Sequence, residues 1–331
     1  MVTQKSIAKQ LGISPSLVSR ALCGTAEKIG ASEETVRKIR ETALSLGYAP
    51  DAAARTLRGA KSQTIGVIIK DFDDPFLGRM TGELQHLARQ NGYSLLLTGF
   101  DRTAGQPCDS ASLLRFRLDA LIICGSDICG NWIAAFRDKN IPIVQIGADR
   151  NCKGVRRVET DEAAGLELLV THILDAGHRR IGFIGSHSGP HRRRRQILEK
   201  LLSAHGLTPD QISMVSVTEE NNPGLSAMGK LLHQTGKQLP TVVLAADDSM
   251  AQGALRAIYN AGLSVPQDIS LTGIDDIPAA ELMIPALTTV RSPVGGMVRT
   301  AFAMVFATDT GERIVRMRPE LSVRESCRKL C

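Results

Sequence analysis

Thr3-Gln-Lys-Ser-Ile-Ala-Lys-Gln-Leu-Gly-Ile-Ser-Pro-Ser-Leu-Val-Ser-Arg-Ala-Leu22 reads as two short amphipathic helices joined by a tight turn. Thr3 stands where a side-chain hydroxyl caps the first helix by accepting an otherwise orphaned backbone N–H. Ile7, Ala8 and Leu11 share one face by i, i+4 spacing, and Gly12 is placed to end the helix in the left-handed conformation. Ser14 caps the second helix, and Pro15 takes its first position, where a missing N–H costs nothing. Leu17, Val18, Ala21 and Leu22 turn inward and leave Pro15, Ser16, Ser19 and Arg20 on the opposite face. Such a pair fits a helix-turn-helix, whose second helix lies in the major groove of DNA. A plain helical hairpin satisfies the same spacing, so the surrounding segments have to decide.

A third helix is expected from Glu33 to Leu46, capped by Ser32, with Val36, Ile39, Ala43 and Leu46 inward and Gly47 ending it. Tyr48-Ala-Pro50 breaks the pattern, because the residue before a proline avoids the helical region. Asp51 to Gly59 follows as a capping residue, a turn or two of good helix former, and a glycine. Such a piece is too short to be helical alone in water, so it is either a linker or a helix that forms only against a partner. Residues 1–62 hold ten basic and five acidic side chains, which is +5 of the chain's net +6. The remaining residues are close to neutral, and this asymmetry points to a polyanion partner for the N-terminal part alone.

From Ser62 the texture becomes apolar strands alternating with helices. Strand candidates are 63–69, 93–97, 119–123, 141–146, 180–185, 212–217, 241–246 and 269–274, with helices expected over Met80–Asn91 and up to His205. Near-continuously apolar strands separated by helices argue for parallel sheets covered on both faces. The repeated grammar suggests two similar lobes. Ligands in such sheets bind at the carboxyl ends of the strands. There the sequence places Phe76, the arginine run Arg192–Arg195, and the acidic pairs Asp247-Asp248 and Asp275-Asp276. Carboxylates and guanidinium converging from different strands suit hydroxyl-rich small molecules, since each makes paired, charge-assisted hydrogen bonds. Asp247 and Asp275 are expected to face the ligand, and Asp248 and Asp276 to cap the helices that follow.

Seven cysteines at 23, 108, 124, 129, 152, 327 and 331 show neither a CxxC pair nor a regular framework. With no signal-like or membrane-length apolar run, a cytoplasmic chain with reduced thiols is expected. Zinc ligation by Cys124 with Cys129, or His187 with His191, lacks a second pair at finger spacing, so no metal is expected. No P-loop, GxGxxG or HExxH is present, and the elbow-like Gly185-Ser-His-Ser-Gly189 has His where a nucleophile would stand. Neither an enzyme nor a cofactor is expected.

Ser14-Pro-Ser-Leu-Val-Ser-Arg-Ala-Leu22, Gly47-Tyr-Ala-Pro50, Ala54-Arg-Thr-Leu-Arg-Gly59, Asp74-Pro-Phe76, Gly177-His-Arg-Arg-Ile-Gly182, Ala246-Asp-Asp-Ser-Met-Ala251 and Gly273-Ile-Asp-Asp276 occur in this order, followed by Leu287–Val290 and Leu321–Ser326. In that series the chain resembles the LacI/GalR family of bacterial transcription regulators over nearly its whole length. The resemblance implies an all-α helix-turn-helix headpiece and an α/β periplasmic-binding-protein-like core of two parallel-sheet lobes. It implies a DNA-binding domain over 1–47, a hinge over 48–62 and a core over 63–331. The N-lobe would comprise about 63–157 and 291–331, and the C-lobe about 158–290, with crossings near Arg157–Asp161 and Leu287–Ser292.

By the same resemblance Thr3, Ser14, Pro15, Ser16, Ser19 and Arg20 contact DNA, joined by Ala54, Leu57 and Arg58 of a hinge helix that folds on the operator. Leu57 matches the leucine that wedges into the minor groove and kinks the duplex. Phe76, Asp161, Arg195, Asp247 and Asp275 would contact the effector. Three departures stand out: Asp247 where the family commonly has Asn, Gly147 where some members place an aspartate, and no aromatic around Val217–Asn222. A sugar is the default effector, and the arginine run leaves an anionic one open. The chain ends without a heptad tail, so a homodimer on a pseudo-palindromic operator is expected rather than a tetramer. The competing reading is a soluble sugar-binding or sugar-processing protein that carries an accessory basic headpiece.

Overall fold

Thr3 accepts the Ser6 N–H at 3.2 Å and Ser6 Oγ accepts the Thr3 N–H at 2.9 Å, so the first helix, α1 (Gln4–Leu11), starts on a reciprocal cap. Gly12, at φ 66°, ends it. Ser14 Oγ accepts the Leu17 N–H at 3.2 Å and starts α2 (Pro15–Leu22), while Ser32 starts α3 (Glu33–Ser45). Ile7, Ala8, Val18, Ala21, Ile39 and Ala43 close into a small core, with Val36 and Leu46 half-buried at its rim. The computed structural model describes residues 2–22, 26, 30–48, 61–148, 155–218, 222–307 and 314–330. Contacts divide the chain into two units, 1–62 and 63–331. The expected hinge helix, with Ala54, Leu57 and Arg58, lies outside the described residues.

The larger unit holds two sheets. The first joins β1 (Thr64–Ile69), β2 (Ser94–Asp101), β3 (Gln106–Pro107), β4 (Ala120–Cys124), β5 (Ile143–Ile146), β6 (Arg156–Thr160) and β12 (Ile314–Met317) in the order β12-β6-β5-β4-β1-β2-β3. The second joins β7 (Ile181–Ser186), β8 (Ile212–Val217), β9 (Val242–Ala245), β10 (Ser270–Asp275), β11 (Thr288–Arg291) and β13 (Glu320–Ser322) in the order β13-β11-β10-β9-β7-β8. Among the described strands only β3 and β13 pair antiparallel. On one face of the first sheet α4 (Pro75–Gln90) and α11 (Val294–Phe306) bury Leu77, Met80, Leu84, Met297 and Ala301. On its other face α5 (Ser110–Arg115) and α6 (Ile133–Arg137) bury Leu113 and Phe136. The second sheet is covered by α7 (Glu162–Asp175) and α8 (Gly189–Ala204) on one side and by α9 (Pro223–Thr235) and α10 (Asp248–Asn260) on the other. Both faces of the central strands are therefore dry, which is why β1, β4, β5, β7 and β9 are apolar without alternation.

Helices α9 and α10 touch through glycine. A Cβ on Gly224 would stand 2.2 Å from the Met250 carbonyl oxygen, and one on Gly253 would stand 2.5 Å from the Leu225 nitrogen. Any side chain at either position would push the helices apart.

Three sequence expectations need correction. The helix expected from Met80 starts five residues earlier, because Asp74 Oδ1 accepts the Phe76 and Leu77 N–H groups and Pro75 occupies the first turn. The chain passes between the lobes three times rather than twice: after Thr160, after Arg291, and again after Met317. Pro319 cannot donate to a ladder, so β12 stops, and β13 pairs with β11 of the second lobe. Ser326 and Leu330 then bond to Leu271 and Ala176, so the last residues belong to the second lobe and not the first. Finally, Cys108, Cys124 and Cys327 are free thiols but Cys129 is disulfide-bonded. A disulfide needs only that folding bring two Cβ atoms within about 4 Å, which sequence spacing need not announce.

Candidate ligand-binding cleft

The carboxyl ends of strands from both sheets border one cleft of about 560 Å³. Lys70 follows β1, Ser126 follows β4, Ser186 ends β7, Asp247 follows β9 and Asp275 ends β10. Phe76, in the first turn of α4, packs against the cores of both lobes and forms part of the wall. Polar groups lie at strand ends because the helices that cover the sheets stop there and leave room for a ligand.

Arg194 organises the second-lobe wall. Its Nε donates to Glu162 Oε1 at 3.0 Å, one Nη donates to the Ala246 carbonyl at 2.6 Å, and the other donates to Asp275 Oδ1 at 3.1 Å. Asp247 does two jobs: its Oδ1 accepts the Met250 N–H at 2.7 Å and caps α10, and its Oδ2 meets His191 Nε2 at 2.7 Å. The Ser186 N–H donates to His191 Nδ1 at 2.9 Å. Ser186 Oγ lies 2.9 Å from the same nitrogen, so both ring nitrogens of His191 are engaged, one by Ser186 and the other by Asp247.

Burial dominates the acidity of these groups. It pushes Asp275 up to about 6, with Arg194 opposing and Asp247 and Asp74 adding to the rise. It pushes Asp248 up to about 8, with the Asp275 charge adding. Burial also pushes Asp247 up, but the His191 hydrogen bond, the Met250 N–H and Arg194 outweigh it and hold this carboxyl below the usual range. Asp74 is raised by burial and by the charge of Asp247, against the opposing N–H bonds of its cap. Asp74, Asp247 and Asp275 thus act on one another, from two lobes, across the same space.

Of the residues expected to face a ligand, Phe76, Asp247 and Asp275 border the cleft. Arg195 does not. Helix α8 turns it outward, where it pairs with Glu199 at 2.9 Å and reaches Ser216, and Arg194 takes the inner position. Asp161 is spent on capping α7, its Oδ1 accepting the Ala164 N–H at 3.1 Å, while its neighbours Thr160 and Glu162 border the cleft. Asp248 and Asp276 do not cap helices. Asp248 is buried, accepts the Ile277 N–H at 2.9 Å and meets Thr289 Oγ1 at 2.6 Å. Asp276 is gripped by Arg291, Ser322 and Arg324. Neither His191 nor Arg194 is singled out as a ligand contact in the sequence reading, although a signal exists: the inward phase of α8, followed four and seven residues back from Leu198, lands on Arg194 and His191.

Two contacts tie the lobes across the cleft mouth. Arg193 of α8 holds both oxygens of Asp127 at 2.9 and 2.7 Å, and Arg79 of α4 donates to the Asp276 carbonyl at 3.2 Å. In the smaller unit Thr3, Ser14, Pro15, Ser16 and Arg20 are exposed and Ser19 is half-buried, so the outer face of α2 and both caps are open.

A model of a periplasmic binding protein-like domain matches residues 170–327. The chain is 32% identical to the HTH-type transcriptional regulator GalS of Salmonella typhimurium, covering 91% of this chain and 88% of the relative. It is 30% identical to the probable HTH-type transcriptional repressor ExuR of Bacillus subtilis, covering 100% and 99%. Among solved structures, the Lac repressor dimer bound to operator and an anti-inducer matches with a TM-score of 0.82 at 24% identity over 98% of both chains. A LacI-family regulator from Enterococcus faecium with bound ribose matches with a TM-score of 0.72 at 23% identity over 81% of this chain and all of the other.

Proposed function

The chain belongs to the LacI/GalR family of transcriptional regulators, and on that premise we propose how its two units divide the work of a sequence-specific, effector-controlled repressor. Residues 1–47 form the DNA-binding domain and 48–62 the hinge, with the core supplying effector binding and dimerisation. The outer face of α2 reads a major groove, with Pro15, Ser16 and Arg20 nearest base edges and Thr3, Ser14 and Ser19 nearer phosphate. Ala54, Leu57 and Arg58 enter the minor groove. Two copies of the chain on a pseudo-palindrome double the contacts and set the half-site spacing. No helix among the described residues is long and apolar enough to cross a membrane, and action on DNA places the protein in the cytoplasm.

A small effector sits in the cleft against Phe76, Asp74, Arg194, Asp247 and Asp275. Asp161 and Arg195 are set aside as contacts on the geometry above. The effector changes operator affinity by no more than its differential affinity for the two arrangements of the lobes. What carries this reading is the pairing of one cleft, lined from both lobes, with a basic helix-turn-helix unit in a single chain. The sugar-processing alternative would have to use Ser186, whose Oγ lies 2.9 Å from His191 Nδ1 with Asp247 on the far side of the ring, but the Ser186 N–H points at that same nitrogen. The test is selection of random duplex DNA by the full-length protein at moderate salt. The outcome expected is enrichment of one pseudo-palindrome, whereas no enrichment over random sequence would refute the function.

A further inference from the structure

We infer that the effector carries a positive charge, an amine on a small hydroxylated molecule, seated between Asp74 of the first lobe and Asp247 and Asp275 of the second. This rests on the cleft being the effector site, as proposed above. Seven carboxylates border the cleft, those of Asp71, Asp73, Asp74, Glu162, Asp247, Asp248 and Asp275, against the three fixed cations Lys70, Arg102 and Arg194. Burial pushes the Asp248 carboxyl up to about 8, so it adds least to this surplus. His191 has both ring nitrogens engaged, by Ser186 and by Asp247.

The cations do not offset the surplus where it matters. Arg194 has three of its five N–H donors committed to Glu162, Ala246 and Asp275, so its charge is already shared among protein acceptors. Arg102 is bound to Asp71 at 3.0 Å. Asp74 and Asp275 each use Oδ1 for protein partners, and among the described residues Oδ2 of each accepts no hydrogen bond. Asp275 is only 7 % exposed, and that exposure is toward the cleft. A buried carboxylate with an unused oxygen, facing two more carboxylates across a narrow space, needs a donor that also brings charge. An ammonium group bridging Asp74 to the second-lobe pair supplies both and draws the lobes together. A neutral sugar supplies donors but leaves the charge uncompensated, and an anionic sugar adds to it.

The test is calorimetric titration and thermal shift of the full-length protein with matched probes: glucosamine, galactosamine and putrescine, beside glucose, galactose, butanediol and the two sugar 6-phosphates. The result expected is that at least one amine binds at least tenfold more tightly than its uncharged counterpart, with no binding by the phosphates. In Asp74→Asn that preference should collapse, while the helix keeps its cap because Asn serves an N-cap as well as Asp. A neutral or phosphorylated probe binding as tightly as its amine would overturn the inference, as would failure of every amine at millimolar concentration. Operator selection by the same protein separates the two levels. If a palindrome is enriched while a neutral sugar is the ligand, the regulator stands and only the charge assignment falls.

Discussion

The two walls of the cleft are built to different standards. On the second-lobe wall Arg194 is buried and held by three acceptors, and Asp247 is fixed by a helix N-terminus and by His191. On the first-lobe wall the corresponding ion pair, Arg102 with Asp71, spans 3.0 Å but leaves its side chains 45% and 39% exposed. A buried, multiply bonded guanidinium cannot move without leaving bare charges behind. An exposed pair re-forms with water at little cost. One wall is therefore set before a ligand arrives, and the other adjusts to it, the partition wanted where ligand has to shift the balance between two lobe arrangements.

The sharpest way to break this contrast is to remove one guanidinium from each wall. Arg194→Met leaves Glu162 and Asp275 uncompensated and should cost about 3–5 kcal/mol by denaturant unfolding, whereas Arg102→Met should cost about 0–1 kcal/mol. Similar costs for the two would end the distinction. A second effect is in pH. Asp248 and Asp275 have folded values raised by burial, to about 8 and about 6, above their ordinary unfolded values. The folded state thus keeps protons that the unfolded chain releases. The stability they contribute is fully present below about pH 4 and is lost as pH rises through 6 and then 8, by up to about 1.4 kcal/mol per unit for each group while it is still protonated in the fold. Asp248→Asn should flatten the later part of that decline in melting curves taken from pH 5 to 9, and an unchanged slope would place the proton elsewhere.

Smaller still is the tie between the walls. Arg193 and Asp127 are partly buried, so a double-mutant cycle with Arg193→Met and Asp127→Asn should give a coupling of about 1 kcal/mol. A coupling near zero would mean that the pair does not join the lobes. The smallest effect is expected at Arg195, whose exposed pair with Glu199 puts Arg195→Ala within about 0.5 kcal/mol of the parent. A loss of ligand affinity in that variant would return Arg195 to the cleft.

The headpiece was readable because its signals are local. Thr3, Ser14 and Ser32 each act on backbone within three residues, and Gly12 needs only its own φ. The strands were readable because both faces of each sheet are covered, so apolar runs such as Thr64–Ile69 stand out. The cleft was readable only as a neighbourhood. Which of four consecutive arginines turns inward depends on helical phase, and a slip of one residue turns a side chain by about 100°. The apolar phase of Leu198 and Leu202 settles it in favour of Arg194 over Arg195. Asp161, Asp248 and Asp276 failed for a different reason. Capping, cleft lining and buried pairing all call for the same residue type at a strand end. The winner is decided by partners 15 to 48 residues away for Asp248 and Asp276, Ile277, Thr289, Arg291 and Arg324 among them. The return of the last residues to the second lobe is long-range in the same sense, resting on Ser326 and Leu330.

Control of DNA binding by the cleft is tested most directly by fluorescence anisotropy on the selected palindrome, with and without a ligand that raises the protein's melting temperature. The two titration curves should separate by fivefold or more in Kd, in either direction, and should coincide once Asp275→Asn has removed the ligand's hold. Superimposable curves for the parent protein, with ligand shown to be bound, would contradict the account.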